Sequence, residues 1–197
     1  LFEPNYGLNI NRLDIPVNPY DAFKCDVPNL STSLYFVVND SFYLKALPQA
    51  HLPEGVIVDS LSRVAAKKPD FIARYYSKIA STDEDAITAL NTMLVQDGLL
   101  VYVPKNVKVD RAIQVINILR SDVDLMVNRR VLILLEEGAE AKFLFCDHSA
   151  DDRNFLSTQV IEAYVGENAN LELNCLEETH LKNTRVSNVY IQQQANS

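Results

Sequence analysis

Glycine is scarce in this sequence, with five in 197 residues, and tryptophan is absent. So few glycines leave no glycine-rich phosphate cradle, and neither GxxxxGK[ST] nor GxGxxG occurs. GxSxG, the nucleophile turn of many hydrolases, is missing too. Cysteine is also rare: Cys25, Cys146 and Cys175 form an odd count without a CxxC pair. That spacing argues against a disulfide framework and a structural zinc site, and suits a reducing cytoplasm. Basic residues are outnumbered, 18 against 26 acidic, for a net charge of −8. This balance opposes nonspecific binding to nucleic acid or anionic membrane. The longest basic clusters are pairs, Lys67-Lys68 and Arg129-Arg130, and both read as solvated surface pairs. No apolar run approaches the ~18–20 residues of a membrane helix, and LFEPNYGLNI lacks the basic-then-apolar order of a signal peptide.

What is present suits a folded protein of one or two domains: hydrophobic residues make up 48% and charged residues 22%. Seven of the eight prolines lie at or before Pro69, so the first 55 residues read as loop-rich. Within them Leu34–Val38 and Phe42–Leu44 flank Asn39-Asp40 and predict a hairpin, and EGVIVDSL predicts a further strand. Three helices follow. Asp59 or Ser60 caps the first, which runs to Lys67; Pro69 opens the second ahead of Phe71, Ile72, Tyr75, Tyr76 and Ile79. Ser81 and Glu84, in capping-box spacing, open a third that places Ile87, Leu90, Met93 and Leu94 on one core-facing stripe and stops at Gly98. The expected division is an N-terminal region over 1–98 and a repeat region over 99–197.

After Gly98 the pattern alternates as strands do, and it repeats. VYVPKNVKV from Val101, ILLEEGAEA from Ile133, AYVGENANL from Ala163 and VYIQQQANS from Val189 align at offsets of 32, 30 and 26 residues. Each copy carries a strand, a polar turn at Asn106, Gly138, Asn168 or Gln194, and a small apolar residue beyond it. Asn and Gly accept positive φ cheaply, so a strand turns a corner there and continues on another face. Val107 and Val109, then Ala139, Ala141 and Phe143, then Ala169, Leu171 and Leu173, continue the alternation inward. A two- or three-strand unit of ~30 residues that buries its apolar face only by stacking predicts a parallel β-solenoid. The fourth copy falls on Val189–Ser197, in mid-coil, so the chain is expected to be a piece of a longer protein. It is also expected to self-associate through that open end.

The densest polar cluster, CDHSADDR, holds Cys146, Asp147, His148, Asp151 and Asp152; LEETH adds Glu177, Glu178 and His180. Both contain metal-ligand types, and both read first as solvated loops. His51, His148 and His180 have no spacing that makes them converge. Cys175 shares the phase of Leu171 and Leu173 and is expected in the core, whereas Cys146, out of phase with Phe143 and Phe145, is expected to be the more accessible. Glu140, Glu162 and Glu172 are placed on outward phases. Parallel β-helices that cleave polysaccharides gather carboxylates on one exposed sheet, so a carbohydrate-active lyase or hydrolase is the rival reading.

Three longer strings carry a resemblance. LNTMLVQDGLLVYVPKNVKV, NRRVLILLEEGAEAKF and VIEAYVGENANLEL match, in order, the patterns DGxxxYVPKxV, R(N)xxILxExGAE and EhhVGENAxLE. FVVNDSFYLKALPQAHLPEGVIVDSL resembles FVNGxF…LPxGVxVxSL, which brings coverage to about Leu34 onward. These patterns are similar to those of the SufB/SufD family of the SUF iron–sulfur cluster assembly machinery. AIQVINIL, where SufB has a STYFR-like stretch, sits nearer the SufD branch. Asp40 in place of glycine, Met93-Leu94 in place of Ala-Phe and Ala112 in place of proline depart from the family pattern. The resemblance implies a mainly β fold, a right-handed parallel β-helix preceded by a short α-helical and β-hairpin region. It also implies a non-catalytic, cytoplasmic scaffold that pairs with SufB and the ATPase SufC and takes part in iron entry. Iron or cluster would be handled by the full complex, with no cofactor in this chain. The family's site residues and SufC-gripping helices are expected beyond Ser197, so no catalytic, cofactor-binding or metal residue is assigned.

Overall fold

The computed structural model describes residues 32–45 and 52–197; Cys25 and His51 lie outside the described residues. Ten strands run in chain order: β1 (Ser33–Val38), β2 (Ser41–Phe42), β3 (Ile57–Ser60), β4 (Leu99–Val103), β5 (Ile113–Leu119), β6 (Leu125–Leu135), β7 (Glu140–Ser149), β8 (Phe155–Val165), β9 (Asn170–Glu178) and β10 (Asn183–Gln193). They form two sheets, ordered β2-β1-β5-β7-β9 and β10-β8-β6-β4-β3. The chain passes from one sheet to the other and back in each coil, so β4, β6, β8 and β10 stack in parallel, as do β5, β7 and β9. This is the parallel β-solenoid that the repeat predicts. The expected hairpin, β1–β2, extends the first sheet parallel to β5, while β3 borders the second, antiparallel to β4.

Alternation explains the core. Val101, Val103, Ile133, Phe143, Phe145, Ile161 and Ala163 are buried on the inward phase of both sheets. Each coil turns at a residue with positive φ: Asn106 (59°), Gly138 (67°), Asn168 (56°) and Asn196 (58°). The fourth of these corrects the sequence alignment, which puts Gln194 at the corner. Register pairs Ala163 with Ile191, not Val189, so the last offset is 28 residues rather than 26. The turns also bond coil to coil: the amides of Asn106, Gly138 and Asn168 donate to the carbonyls of Glu137, Glu167 and Ala195 at 2.9, 2.8 and 3.0 Å.

Three helices lie over the second sheet: α1 (Leu61–Lys67), α2 (Pro69–Ala73) and α3 (Ala86–Leu94). Ser60 caps α1 by accepting from the Arg63 amide at 3.1 Å, and Pro69 opens α2 as expected. Helix α2 is shorter than its apolar stripe implies, because the chain turns after Ala73 and Ser77 takes a positive φ of 55°. Helix α3 differs in two ways. Its cap is Asp85, whose carboxylate accepts from the Thr88 amide at 2.6 Å, rather than Ser81. Its buried residues are Thr88 and Asn91, while Ile87, Leu90 and Leu94 are half-buried and Met93 is exposed. The helix therefore docks by its polar side. Asn91 Nδ2 donates to the Arg129 carbonyl (3.0 Å) and to Thr158 Oγ1 (2.9 Å), and Thr88 shares a hydrogen bond with Tyr190 (2.8 Å). Gly98, just before β4, admits the chain where a Cβ would sit 2.3 Å from the Arg130 carbonyl oxygen.

Candidate functional site

The CDHSADDR stretch is not a loop up to Ser149, since Cys146–Ser149 closes β7. Strand alternation therefore splits its residues between two environments. Cys146 faces outward and is buried, against expectation, in a cluster with Phe36, Ile116 and Ile118. Asp147 faces the interior and is 1% exposed. Asp151 leaves the strand and accepts from Arg120 Nη1 (2.8 Å) and the Ser121 amide (2.8 Å); Asp152 pairs with Lys182 (3.0 Å) and His180 (3.2 Å). Among the described residues no three His, Cys, Asp or Glu side chains converge as a metal site. Glu177 forms an ion pair with Arg185 at 3.0 Å and Glu178 lies 3.4 Å from His148, so LEETH is tied to residues of β10 and β7.

Burial holds the His148 imidazole below its ordinary value, outweighing the opposite pull of Glu178 and then Asp147. The folded state thus favours neutral His148. As pH falls below the unfolded value of about 6.5, the unfolded chain takes up a proton that the folded chain resists, and stability declines. Urea unfolding from pH 7.5 to 5.5 is expected to show this loss, and His148→Gln to flatten the slope. An unchanged slope in the variant would refute it.

Cys175 does keep the inward phase, opposite Phe145, yet it is exposed. Among the described residues no strand stacks on β9 beyond it, so the inward face there remains uncovered. The three candidate carboxylates do not share a sheet. Glu140 and Glu172 lie on β7 and β9, paired with Lys108 and with Lys142 (3.2 Å), whereas Glu162 is on β8 in the other sheet. Glu162 is fully buried. It accepts from Arg130 Nη2 at 2.5 Å and from the amides of Ser77 (3.0 Å) and Ala80 (3.2 Å). Arg130 also donates to Ser77 Oγ (3.0 Å) and Thr92 Oγ1 (3.0 Å) and lies 4.6 Å over the Tyr76 ring. Arg130 and Glu162 thus clasp the segment after α2, and α3, to the sheet.

Arg129 and Arg130 are both buried, at 3% and 1% exposure, which corrects their reading as a solvated pair. One sequence signal was available: they stand inside LMVNRRVLILL, where a strand flanked by apolar residues on both sides forces its charges into buried positions. Neighbours in a strand face opposite ways, so Arg130 meets the helices and Arg129 enters the solenoid. There Arg129 Nη1 donates to Asp147 Oδ1 (2.6 Å) and its Nε to the Asn39 carbonyl (2.8 Å). Arg185 approaches the second Asp147 oxygen at 3.2 Å. Burial, as the main cause, lowers the Arg129 pKa.

Fold and side chains together define a parallel β-solenoid whose buried charges serve packing and whose outward carboxylates are scattered rather than gathered on one face. The chain belongs to the SufB/SufD family. A model described as SufBD protein N-terminal region matches residues 1–115, and one described as SUF system FeS cluster assembly, SufBD core domain, matches residues 117–197. An iron–sulfur cluster assembly SufBD family protein of Arabidopsis thaliana is 31% identical over 171 residues, 86% of this chain and 35% of that relative. The iron–sulfur cluster assembly protein SufD of Bacillus subtilis is 28% identical over 134 residues, 68% of this chain and 29% of that relative. A chloroplastic SufBD family protein of Arabidopsis thaliana is 31% identical over 122 residues, 60% of this chain and 21% of that relative. The chain spans about a third or less of the length of these relatives.

Proposed function

We propose that this chain is part of a scaffold subunit for iron–sulfur cluster assembly, nearer SufD than SufB, and that it acts without catalysing a reaction of its own. The observation that carries the reading is the match of both family models, in order, along the chain, the second of them lying within the solenoid. The dispersal of Glu140, Glu162 and Glu172 weighs against the carbohydrate-active alternative, which needs its carboxylates on one exposed sheet. In this reading the full protein pairs with SufB, engages the ATPase SufC and takes part in iron entry. Iron and cluster are cargo of the complex rather than a resident cofactor of this chain. The reading includes a cytoplasmic location, although one relative's name places it in the chloroplast. No described helix is long and apolar enough to cross a membrane. Self-association of the isolated chain through β9 and β10 also belongs to the reading, because inward-facing Val189 and Ile191 are half exposed there.

The test is co-expression of the full-length protein with SufB and SufC from the same genome, followed by light scattering and an ATPase assay. A stoichiometric complex whose ATPase activity exceeds that of SufC alone is expected. Absence of a complex, together with release of unsaturated sugars from pectin-like polymers, would overturn the scaffold reading in favour of a lyase.

A further inference from the structure

The cations of this chain are distributed unevenly. Residues 60–80 carry five, Arg63, Lys67, Lys68, Arg74 and Lys78, against the single acid Asp70, a net of +4 in a chain whose total is −8. Among the described residues, every lysine of the solenoid from Leu99 onward is held by a carboxylate: Lys105 by Glu137 (2.7 Å), Lys108 by Glu140, Lys142 by Glu172 (3.2 Å) and Lys182 by Asp152 (3.0 Å). The helical cover differs. Arg63 is paired with Asp59 at 2.6 Å, but Lys67, Lys68, Arg74 and Lys78 form no ion pair with a described carboxylate.

Packing leaves these four side chains in solvent. Leu61, Val64 and Ile72 go down onto Leu100, Leu132 and Leu134 of the second sheet, while Lys67, Lys68, Arg74 and Lys78 are exposed. They are also near one another along the fold. Lys68 and Arg74 flank α2, whose rise puts their backbones about 9 Å apart, and the Lys78 amide bonds back to the Tyr75 carbonyl at 3.2 Å. Between them the half-buried rings of Phe71 and Tyr75 meet edge to face at 5.7 Å, which gives the cationic surface an apolar centre. The patch is bounded. Phe71 packs on Tyr102 at 5.5 Å, and Tyr102 donates to Glu136, which is exposed beside the equally exposed Glu137. A nucleic acid or an anionic bilayer laid on the cations would extend across that acidic corner and be repelled. A short acidic segment, with an apolar residue among its acids, fits the patch alone.

We propose that the end of α1, α2 and the turn after it form a docking surface for an acidic peptide segment of a partner protein. Its carboxylates pair with Lys67, Lys68, Arg74 and Lys78, and an apolar side chain settles on Phe71 and Tyr75. This surface is independent of the scaffold reading, and its test does not involve SufB or SufC.

The experiment uses the purified full-length protein and a fluorescein-labelled peptide of five Glu-Glu-Leu repeats, followed by fluorescence anisotropy. Binding is expected at low salt and should weaken as salt rises. Glutamine at Lys67, Lys68, Arg74 and Lys78 together is expected to weaken it about 30-fold, the combined effect of four exposed charge pairs. Glutamine at Lys105, Lys108 and Lys142, whose carboxylates are already in place, is expected to change it less than about twofold. All seven side chains are exposed, so the melting temperatures of both variants should stay near the parent's, which separates lost docking from lost folding. No binding by the unaltered protein, or equal weakening by the two sets of replacements, would overturn the proposal. So would tighter binding of a single-stranded oligonucleotide or of phosphatidylserine vesicles through the same four residues, or a dimer in sedimentation that those replacements dissolve.

Discussion

Glu162→Gln is expected to destabilise the protein by about 3–5 kcal/mol, because it leaves the Arg130 guanidinium charged and buried without its counter-ion. Water cannot take over, since both side chains are 0% exposed. The loss extends beyond one ion pair: the Glu162 carboxylate also anchors the Ser77 and Ala80 amides, and Ser77 already holds a positive φ. Releasing it should loosen the segment between α2 and α3, so hydrogen exchange of the amides over 75–80 should quicken beyond the global effect. The double replacement Arg130→Met, Glu162→Leu is expected to recover only part of the loss: a matched apolar pair removes the charge rather than stranding it, but leaves the Ser77 and Ala80 amides without their acceptor. Urea unfolding of the two variants decides the point. A single variant within 1 kcal/mol of the parent would show that the pair does not hold the helices down.

Phe143→Ala is expected to cost a similar amount, about 3–5 kcal/mol, for a different reason. The ring is 0% exposed and stacks with Phe145 at 5.9 Å and 7° between planes, and its strand neighbours on the ladder are Ile113 and Leu173. Removing it leaves a void between coils that backbone hydrogen bonds on both sides prevent from collapsing. Phe143→Leu, which keeps most of the volume, should cost well under half as much. Chemical denaturation compares the two. Equal losses for alanine and leucine would mean that ring shape, not filled volume, sets the packing there.

Much of this architecture is written in a period of two. The inward residues of β4 to β9, the corners at Asn106, Gly138 and Asn168, the Ser60 cap and the Pro69 start all follow from local chemistry. The fourth corner lies at Asn196, two residues past the expected Gln194, because a slip of two residues leaves every side chain on its own face. Alternation cannot detect such a slip, and only the register of Ala163 against Ile191 does. Helix α3 departs from its expected face: a stripe of Ile87, Leu90, Met93 and Leu94 implies an apolar contact, yet Thr88 and Asn91 are the buried residues. The sheet surface beneath it offers Thr158 and a backbone carbonyl, which select Asn91. The same limit explains Arg130 and Glu162. Phase tells which way a strand residue points, but not whether a helix lies above it. Cys175 shows the converse: its inward phase was legible, while its exposure depends on what stacks over β9.

The bonds that link one turn to the next give the molecule a mechanical grain. Each of the corner amides at Asn106, Gly138 and Asn168 is held by the coil that follows it, and the backbone of each coil's strands pairs only with the strands before and after them in their own sheet. Under a pulling force, such a stack yields like a zipper. Detaching one coil of 28–32 residues would lengthen the chain by roughly 100 Å at about 3.4 Å per residue. The Arg130–Glu162 clasp spans two adjacent coils, β6 and β8, and fastens both to the helices. Peeling from β10 should therefore first break only the part-buried hydrogen bonds of Asn188 and Tyr190 to Asp85 and Thr88, and then stall at the buried charge pair on β8, which divides the solenoid into a lightly pinned rim and a riveted middle.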